Sequence, residues 1–303
     1  MGARHIRANG LRFAYIERGP AHGPLALCLH GFPDHAPTWR RLQPALAEAG
    51  FRSVAVWMRG YAPTEVPDDR ATDPATLTAD VNALHRALGG TRDAVLIGHD
   101  WGGIIGARAA AAAPERWRAA VTMAVPVEAV MRPSHLDLGQ VRRSWYTLQA
   151  QLPRAEARFL RRDAALIERL WREWSPGYEP DPDDLRVIKR TLAEPGVMRA
   201  ALSYYRGFAR AALTGEAASP RVALPPQPHL VLHGSDDGCV DPRMVEAGAP
   251  LLPHSRSRVE IVSGVGHFLH LEDPARVNAA ILEHVTAPRR RASAGVEPAP
   301  TEG

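Results

Sequence analysis

The chain has 303 residues, 45% hydrophobic and 23% charged, enough for one large core with an insertion or for two domains. Its net charge is only +4, and although the pI is about 9.4 the arginines are scattered, Arg289-Arg290-Arg291 apart. The absence of a basic stripe interleaved with aromatics argues against a nucleic-acid reader, and the lack of a bilayer-length apolar run argues against a membrane partner. Two cysteines, Cys28 and Cys239, do not make a disulfide framework, and Met1 to Ile6 lacks an apolar signal core, so the expected location is the cytoplasm.

In chain order, His5 to Arg18 predicts a hairpin turning at Asn9-Gly10, with Leu11, Phe13 and Tyr15 alternating on one face. Leu25 to Leu29 predicts a buried strand running into His30-Gly31-Phe32-Pro33. A helix over Thr38 to Ala49 places Trp39, Leu42 and Leu46 on one side, ahead of a strand over Phe51 to Trp57. Asp73-Pro74 opens the next helix, which carries Leu77, Val81, Leu84 and Leu88 and ends at Gly89-Gly90. Ala94 to Ile97 suits a buried parallel strand, Ile104 to Ala113 a helix stopped by Pro114, and Ala119 to Ala124 another strand. This β-α-β alternation implies an α/β fold with a mostly parallel, doubly wound sheet.

From Pro126 to Pro225 the pattern turns helical, over Ser144 to Gln151, Ala164 to Trp174, Leu185 to Leu192 and Val197 to Leu213. The β-α rhythm resumes with a strand at His229 to Leu232, a helix at Pro242 to Ala249, a strand at Arg258 to Val262 and a helix from Asp273 to Val285. The expected organisation is therefore a core over 1–125, an inserted helical cap over 126–225, the rest of the core over 226–287 and a disordered tail over 288–303.

Gly98-His99-Asp100-Trp101-Gly102 lies where a strand feeds a helix. Small residues two before and two after one polar residue form the nucleophile-elbow pattern of α/β-hydrolases, whose glycines let the backbone turn sharply. By itself the same stretch is equally a glycine-rich turn with an aspartate N-cap. Two later loops supply partners. Gly234-Ser235-Asp236-Asp237 follows an apolar strand, and the Gly-x-x-Asp spacing selects Asp237 over Asp236. Gly264-Val265-Gly266-His267 follows the next strand, giving the chain order nucleophile, acid, histidine. All three project from the carboxyl edge of the sheet, where sites of open α/β folds form. The loop at His30-Gly31-Phe32-Pro33 fits an oxyanion loop, with the N–H groups of Phe32 and Trp101 facing the nucleophile.

Aspartate in place of serine redirects the chemistry. A carboxylate is a poor nucleophile toward esters and amides but displaces leaving groups at saturated carbon, giving an alkyl-enzyme ester. His267, oriented by Asp237, would then activate water to hydrolyse it, with no metal or organic cofactor required.

In these residues the chain resembles the α/β-hydrolase-fold epoxide hydrolases, to which haloalkane dehalogenases are cousins. The resemblance spans about residues 5 to 287 and is most specific at Gly98-His99-Asp100-Trp101-Gly102-Gly103 and His30-Gly31-Phe32-Pro33-Asp34, followed by Trp39-Arg40. It implies two cap tyrosines that hold and protonate the epoxide oxygen. Ser144-Trp145-Tyr146-Thr147 is similar to the segment with the first, which places it at Tyr146; Ser203-Tyr204-Tyr205-Arg206 is similar to the segment with the second, which places it at Tyr205, with Tyr204 equally good by composition. It further implies substrate contacts at Phe32, Trp101 and Trp145, a small apolar epoxide and water as partners, and a monomer or homodimer. Trp145, Leu148, Trp171, Trp174 and Phe208 would line an apolar pocket or form cap core. One departure is Arg59-Gly60-Tyr61-Ala62-Pro63-Thr64, where the family commonly shows Gly-Tyr-Gly-x-Ser. A dehalogenase would share the triad, favoured by Asp100 and Trp101 alone. A hydrolase-like scaffold that binds a small ligand without turning it over is the third reading.

Overall fold

The computed structural model describes residues 2–67, 71–130, 138–214 and 224–288. Arg289-Arg290-Arg291 and the expected disordered tail, Pro288 apart, lie outside them. Eight strands form one sheet: β1 (Arg4–Ala8), β2 (Leu11–Arg18), β3 (Leu25–Leu29), β4 (Arg52–Val56), β5 (Ala94–His99), β6 (Trp117–Met123), β7 (His229–Gly234) and β8 (Arg258–Val262). Their spatial order is β1-β2-β4-β3-β5-β6-β7-β8. The β1–β2 hairpin turns through Asn9 and Gly10, both at positive φ, and β2 runs antiparallel to β4. From β4 onward every pairing is parallel, so the carboxyl ends share one edge. β3 and β5 are buried along their whole length, as apolar runs covered on both faces should be.

Among the described residues eleven α-helices accompany the sheet: α1 (Leu42–Glu48), α2 (Pro74–Ala87), α3 (Trp101–Ala112), α4 (Leu138–Arg143), α5 (Trp145–Gln151), α6 (Ala155–Trp174), α7 (Pro182–Ala193), α8 (Val197–Thr214), α9 (Pro242–Glu246), α10 (Leu269–Glu272) and α11 (Pro274–Thr286). α2 packs on α3, and α1 on α11, against the strands. Between β6 and β7 every regular element of the described chain is helical, and α5, α6, α7 and α8 pack on one another. Among the described residues no helix is long and apolar enough to cross a membrane.

The elements differ from the sequence expectation where proline and glycine act locally. The helix expected from Thr38 is a 3-10 turn over Ala36–Arg41 that passes into α1. Pro37 and Pro44 donate no N–H, so each fits only the first turn of a helical segment. α9 stops at Glu246 because Gly248 and Pro250 follow. α6 begins nine residues before Ala164, at Ala155, and breaks where Arg162, Asp163 and Ala164 take positive φ of 51°, 55° and 52°. α4 and α10 were not expected, since each is little more than one turn.

The junction of β5 and α3 is crowded by design of its residues. Asp100 sits at φ 50°, ψ −121°, a conformation that costs a non-glycine residue roughly 1–3 kcal/mol. A Cβ on Gly98 would lie 2.2 Å from the Gly102 carbonyl oxygen, and one on Gly102 would lie 2.2 Å from that of Leu29. Gly98→Ala is expected to destabilise the protein by about 1–3 kcal/mol, the range for overpacking. Gly177, whose added Cβ would meet nothing within 4 Å, is the control, and Gly177→Ala should stay within about 0.5 kcal/mol in the same urea melt.

Candidate active site

Asp100 is 6% exposed at the carboxyl end of β5. Its backbone N–H donates to the Met123 carbonyl, and its own carbonyl accepts from Gly103 and Ile104 to start α3. These bonds fix the position of its Cα–Cβ bond at the start of α3. Its Oδ1 accepts the Phe32 N–H at 2.8 Å. Phe32 reaches it because β3 lies beside β5, and because a Cβ on Gly31 would fall 2.4 Å from Oδ1.

The Asp100 Oδ2 faces His267 Nε2 at 3.8 Å. That gap exceeds a hydrogen bond. Behind the ring, His267 Nδ1 donates to Asp237 Oδ2 at 2.9 Å, which leaves Nε2 as the free base. Asp237 Oδ1 accepts from the N–H groups of Cys239 at 2.6 Å and Val240 at 2.9 Å, and His233 Nε2 lies 3.5 Å from Oδ2. Asp236, the competing acid, is exposed and takes the Ser235 hydroxyl instead. Three residues from three loops thus form one continuous line of groups.

Burial opposes charge throughout. It raises the Asp100 carboxyl above the ordinary range, against the His267 charge and the Phe32 and Trp101 N–H groups, which favour the anion. For Asp237 burial acts in the same direction but is outweighed by the His267 and His233 imidazoles and by hydrogen bonds, so this carboxyl titrates low. Burial would also depress His267, yet the Asp237 charge and hydrogen bond, with Asp100 behind them, hold its pKa above that of an ordinary histidine.

The tyrosines divide by surroundings. Tyr205 on α8 is 8% exposed, its hydroxyl has no hydrogen-bond partner, and its ring packs edge-on against Trp101 at 4.8 Å and Phe32 at 5.6 Å. Tyr146 on α5 lies 5.6 Å from the Tyr205 ring, with its hydroxyl 3.3 Å from Cys239 Sγ. Burial raises both phenols well above their usual value, and the Asp100 charge adds to both. Tyr204 points elsewhere: its hydroxyl donates to the Arg59 carbonyl at 2.9 Å, and burial with the Asp80 charge raises it.

The other aromatics take several positions. Trp101 is buried with its indole N–H unpartnered, and Phe208 packs on it at 4.8 Å. Trp174 packs on His267 at 4.9 Å, while Trp171 stacks on Phe268 at 3.7 Å and donates to the Pro33 carbonyl. Trp145 stands behind Tyr146, ring centroids 6.5 Å apart, with the Arg169 guanidinium over its face. Leu148 is 66% exposed and so stands outside the buried core.

Several supporting groups carry no signal in the sequence. The Trp174 carbonyl accepts from both Gly238 and His267, so the end of α6 holds the acid loop and the histidine loop together. Gln140 on α4 donates to the Cys239 carbonyl and accepts from the Asp241 N–H. His99 Nε2 meets the His267 carbonyl at 2.9 Å. Asp237, Cys239 and His267 bring metal-ligating atoms together, but those atoms are already engaged within the line of groups above and with Tyr146.

A carboxylate against an N–H donor, a histidine free at Nε2 and an acid behind it form the equipment of covalent hydrolysis. Comparison with known proteins agrees with this architecture. The family model of the alpha/beta hydrolase fold matches residues 24–274. Epoxide hydrolase A of Mycobacterium tuberculosis is 29% identical, covering 94% of this chain and 98% of its own length. Epoxide hydrolase 4 of Mus musculus is 28% identical, over 94% of this chain and 79% of its own. The crystal structure of epoxide hydrolase A from Mycobacterium thermoresistibile superposes with a TM-score of 0.73 at 27% identity, covering 94% and 98% of the two chains. That of Bacillus megaterium epoxide hydrolase, at 24% identity and a TM-score of 0.80 over 94% and 100%, shares the fold. The chain belongs to the α/β-hydrolase fold family, among the relatives of its epoxide hydrolases.

Proposed function

We propose that this chain is an epoxide hydrolase that converts an epoxide and water to a vicinal diol through an ester on Asp100. The observation that carries this reading is the pair of buried phenols, Tyr146 and Tyr205, set beside a carboxylate nucleophile and close enough to feel its charge. Displacing a halide needs no proton, whereas opening an epoxide releases an alkoxide that does. Both phenols keep their protons at neutral pH because burial disfavours phenolate, so each can hydrogen-bond the ring oxygen and one can donate to it.

In the first step an Asp100 oxygen attacks an epoxide carbon. The C–O bond breaks, its electron pair goes to the ring oxygen, and Tyr205 or Tyr146 supplies the proton. His267 Nε2 then takes a proton from water, whose oxygen attacks the Asp100 carbonyl carbon. The oxyanion faces the Phe32 and Trp101 N–H groups. Collapse breaks the ester C–O bond, and the leaving alkoxide takes the proton that remained on the attacking water oxygen and departs as the diol. The carboxylate is restored with one oxygen from water, and the His267 proton returns to the tyrosinate. Asp237 holds the imidazole and balances its charge. In this reading α4 to α8 form a cap over 126–225, set into a core of 1–125 and 226–287, and Phe32 and Trp101 border the substrate; Trp145 acts from behind Tyr146.

Dehalogenation with the same triad is the second reading, favoured by the unpartnered Trp101 indole N–H, which could hold a halide. A single turnover with styrene oxide in H₂¹⁸O separates the cases. The expected result is unlabelled first-turnover diol and ¹⁸O in the Asp100 peptide; diol labelled directly from water would overturn the covalent route. Halide release from 1-bromobutane without diol formation would move the assignment to the dehalogenase.

Three variants extend the test. His267→Gln should still form the ester, seen as a gain of one substrate in intact mass, while turnover falls about 10³-fold. Tyr205→Phe should lower kcat about 10²-fold, and Tyr204→Phe, whose hydroxyl serves the Arg59 carbonyl, should leave kcat within a factor of about three in the same assay. The pH profile follows from His267, which works only when neutral. Its raised pKa means that the ester-hydrolysis rate should decline as pH falls, starting above the value of about 6.5 typical of histidine. Asp237→Asn should slow that step and move the decline to lower pH, as read by stopped-flow.

A further inference from the structure

The loop that carries the acid also carries Cys239, whose side chain has no part in the reaction as written above. It is 2% exposed, and each of its polar groups has a partner in or beside the site. The backbone N–H donates to Asp237 Oδ1 at 2.6 Å, and the carbonyl accepts from Gln140 Nε2 on α4 at 3.0 Å. The sulfur lies 3.3 Å from the Tyr146 hydroxyl. The two backbone bonds fix the direction of the Cα–Cβ bond, and one torsion then places the thiol. The Tyr205 hydroxyl, by contrast, has no hydrogen-bond partner. The two phenols are therefore not equivalent, one being tethered and the other free.

Burial, with the Asp237 and Asp100 charges behind it, holds the Cys239 thiol well above its ordinary pKa, so it stays protonated. A protonated thiol is both a weak donor and a weak acceptor. Beside a neutral phenol either atom can donate. A phenolate oxygen can only accept, so as Tyr146 loses its proton the bond must run from sulfur to oxygen. Hydrogen bonds to a charged atom are the stronger kind, and this one gains strength only while the epoxide opens.

We propose that Cys239 is a positioning residue for epoxide opening, holding the Tyr146 oxygen and donating its S–H to it as Tyr146 protonates the ring oxygen. The inference rests on the epoxide-hydrolase reading above. It makes Tyr146 the phenol that gives up its proton and Tyr205 a hydrogen-bond donor to the same oxygen. No bond to sulfur forms or breaks: the Tyr146 O–H bond breaks, the proton joins the alkoxide, and the tyrosinate recovers one from His267 at the end of the cycle.

The test is rapid-quench single turnover with styrene oxide on the full chain, with ester formation and ester hydrolysis read separately by intact mass. Cys239→Ala should slow ester formation about tenfold, the scale of one hydrogen bond to a charged group. Cys239→Ser, which restores a donor, should return it to within about threefold of wild type. Added to Tyr146→Phe, the alanine should cost less than about twofold, because the oxygen it served is already gone. Ester hydrolysis in Cys239→Ala should also move less than about twofold, since the backbone N–H to Asp237 survives the substitution. The infrared S–H stretch supplies a readout without turnover: of the two thiols, Cys28 and Cys239, only the Cys239 band should shift in Tyr146→Phe. Additive losses in the double variant, a defect confined to ester hydrolysis, a serine variant as slow as alanine, or an unmoved Cys239 band would overturn the role of Cys239 and leave the ester mechanism standing. A wild type that forms no ester from styrene oxide would sink both. Should the alanine variant fail to fold, the serine variant and the infrared band decide.

Discussion

The site depends on the backbone of one residue. Asp100 occupies a conformation that aspartate adopts only under constraint, and the constraint comes from how closely β3, β5 and α3 approach each other. Gly98 and Gly102 leave no room for a Cβ, so the turn can close only as it does. Once closed, it points the carboxylate along the edge where the β3 loop delivers the Phe32 N–H and the β8 loop delivers His267. The sheet order places β3 on one side of β5 and β6, β7 and β8 on the other. The carboxylate, the N–H donor and the imidazole therefore converge from different elements without any long loop reaching across.

How much of this was legible in the sequence follows from which signals are local. The elbow was, because glycines two before and two after a polar residue at a strand-to-helix junction have a steric reason visible in sequence. Asp237 was selected over Asp236 by spacing alone, and the structure sets Asp237 against His267 while Asp236 faces solvent. Composition left Tyr204 and Tyr205 equal and only the family resemblance chose Tyr205: adjacent tyrosines on one helix differ by about 100° in direction, and the packing of α8 sends the Tyr204 hydroxyl to the Arg59 carbonyl and the Tyr205 ring beside Trp101. The Trp174 carbonyl was also out of reach, since a backbone acceptor serving two distant loops leaves no mark on composition. Short elements such as α4 were missed for a related reason, one turn being too short to show a period.

Electrostatics then assigns different work to similar groups. Asp100 and Asp237 are both buried carboxylates, yet burial wins at Asp100 and hydrogen bonds with imidazoles win at Asp237. The outcome suits both roles. A carboxylate whose anion is less stabilised is the better nucleophile, and one whose anion is strongly stabilised is the better anchor for an imidazolium. The same side chain in two surroundings thus acquires opposite titration shifts, which is what the proposed mechanism asks of the two positions.

The helical segment between β6 and β7 is hydrogen-bonded directly to the loops of the site. Its α6 ends at a carbonyl that accepts from Gly238 and His267 together, and Ser175, the next residue, donates to Glu272 and accepts from Phe268. The loops carrying the acid and the base are thereby fixed to the segment that also contributes Tyr146 and Tyr205. The spacing of 3.8 Å between Asp100 and His267 is thus held from two sides, by the Trp174 carbonyl at the end of α6 and by His99 at the end of β5, which meets the His267 carbonyl.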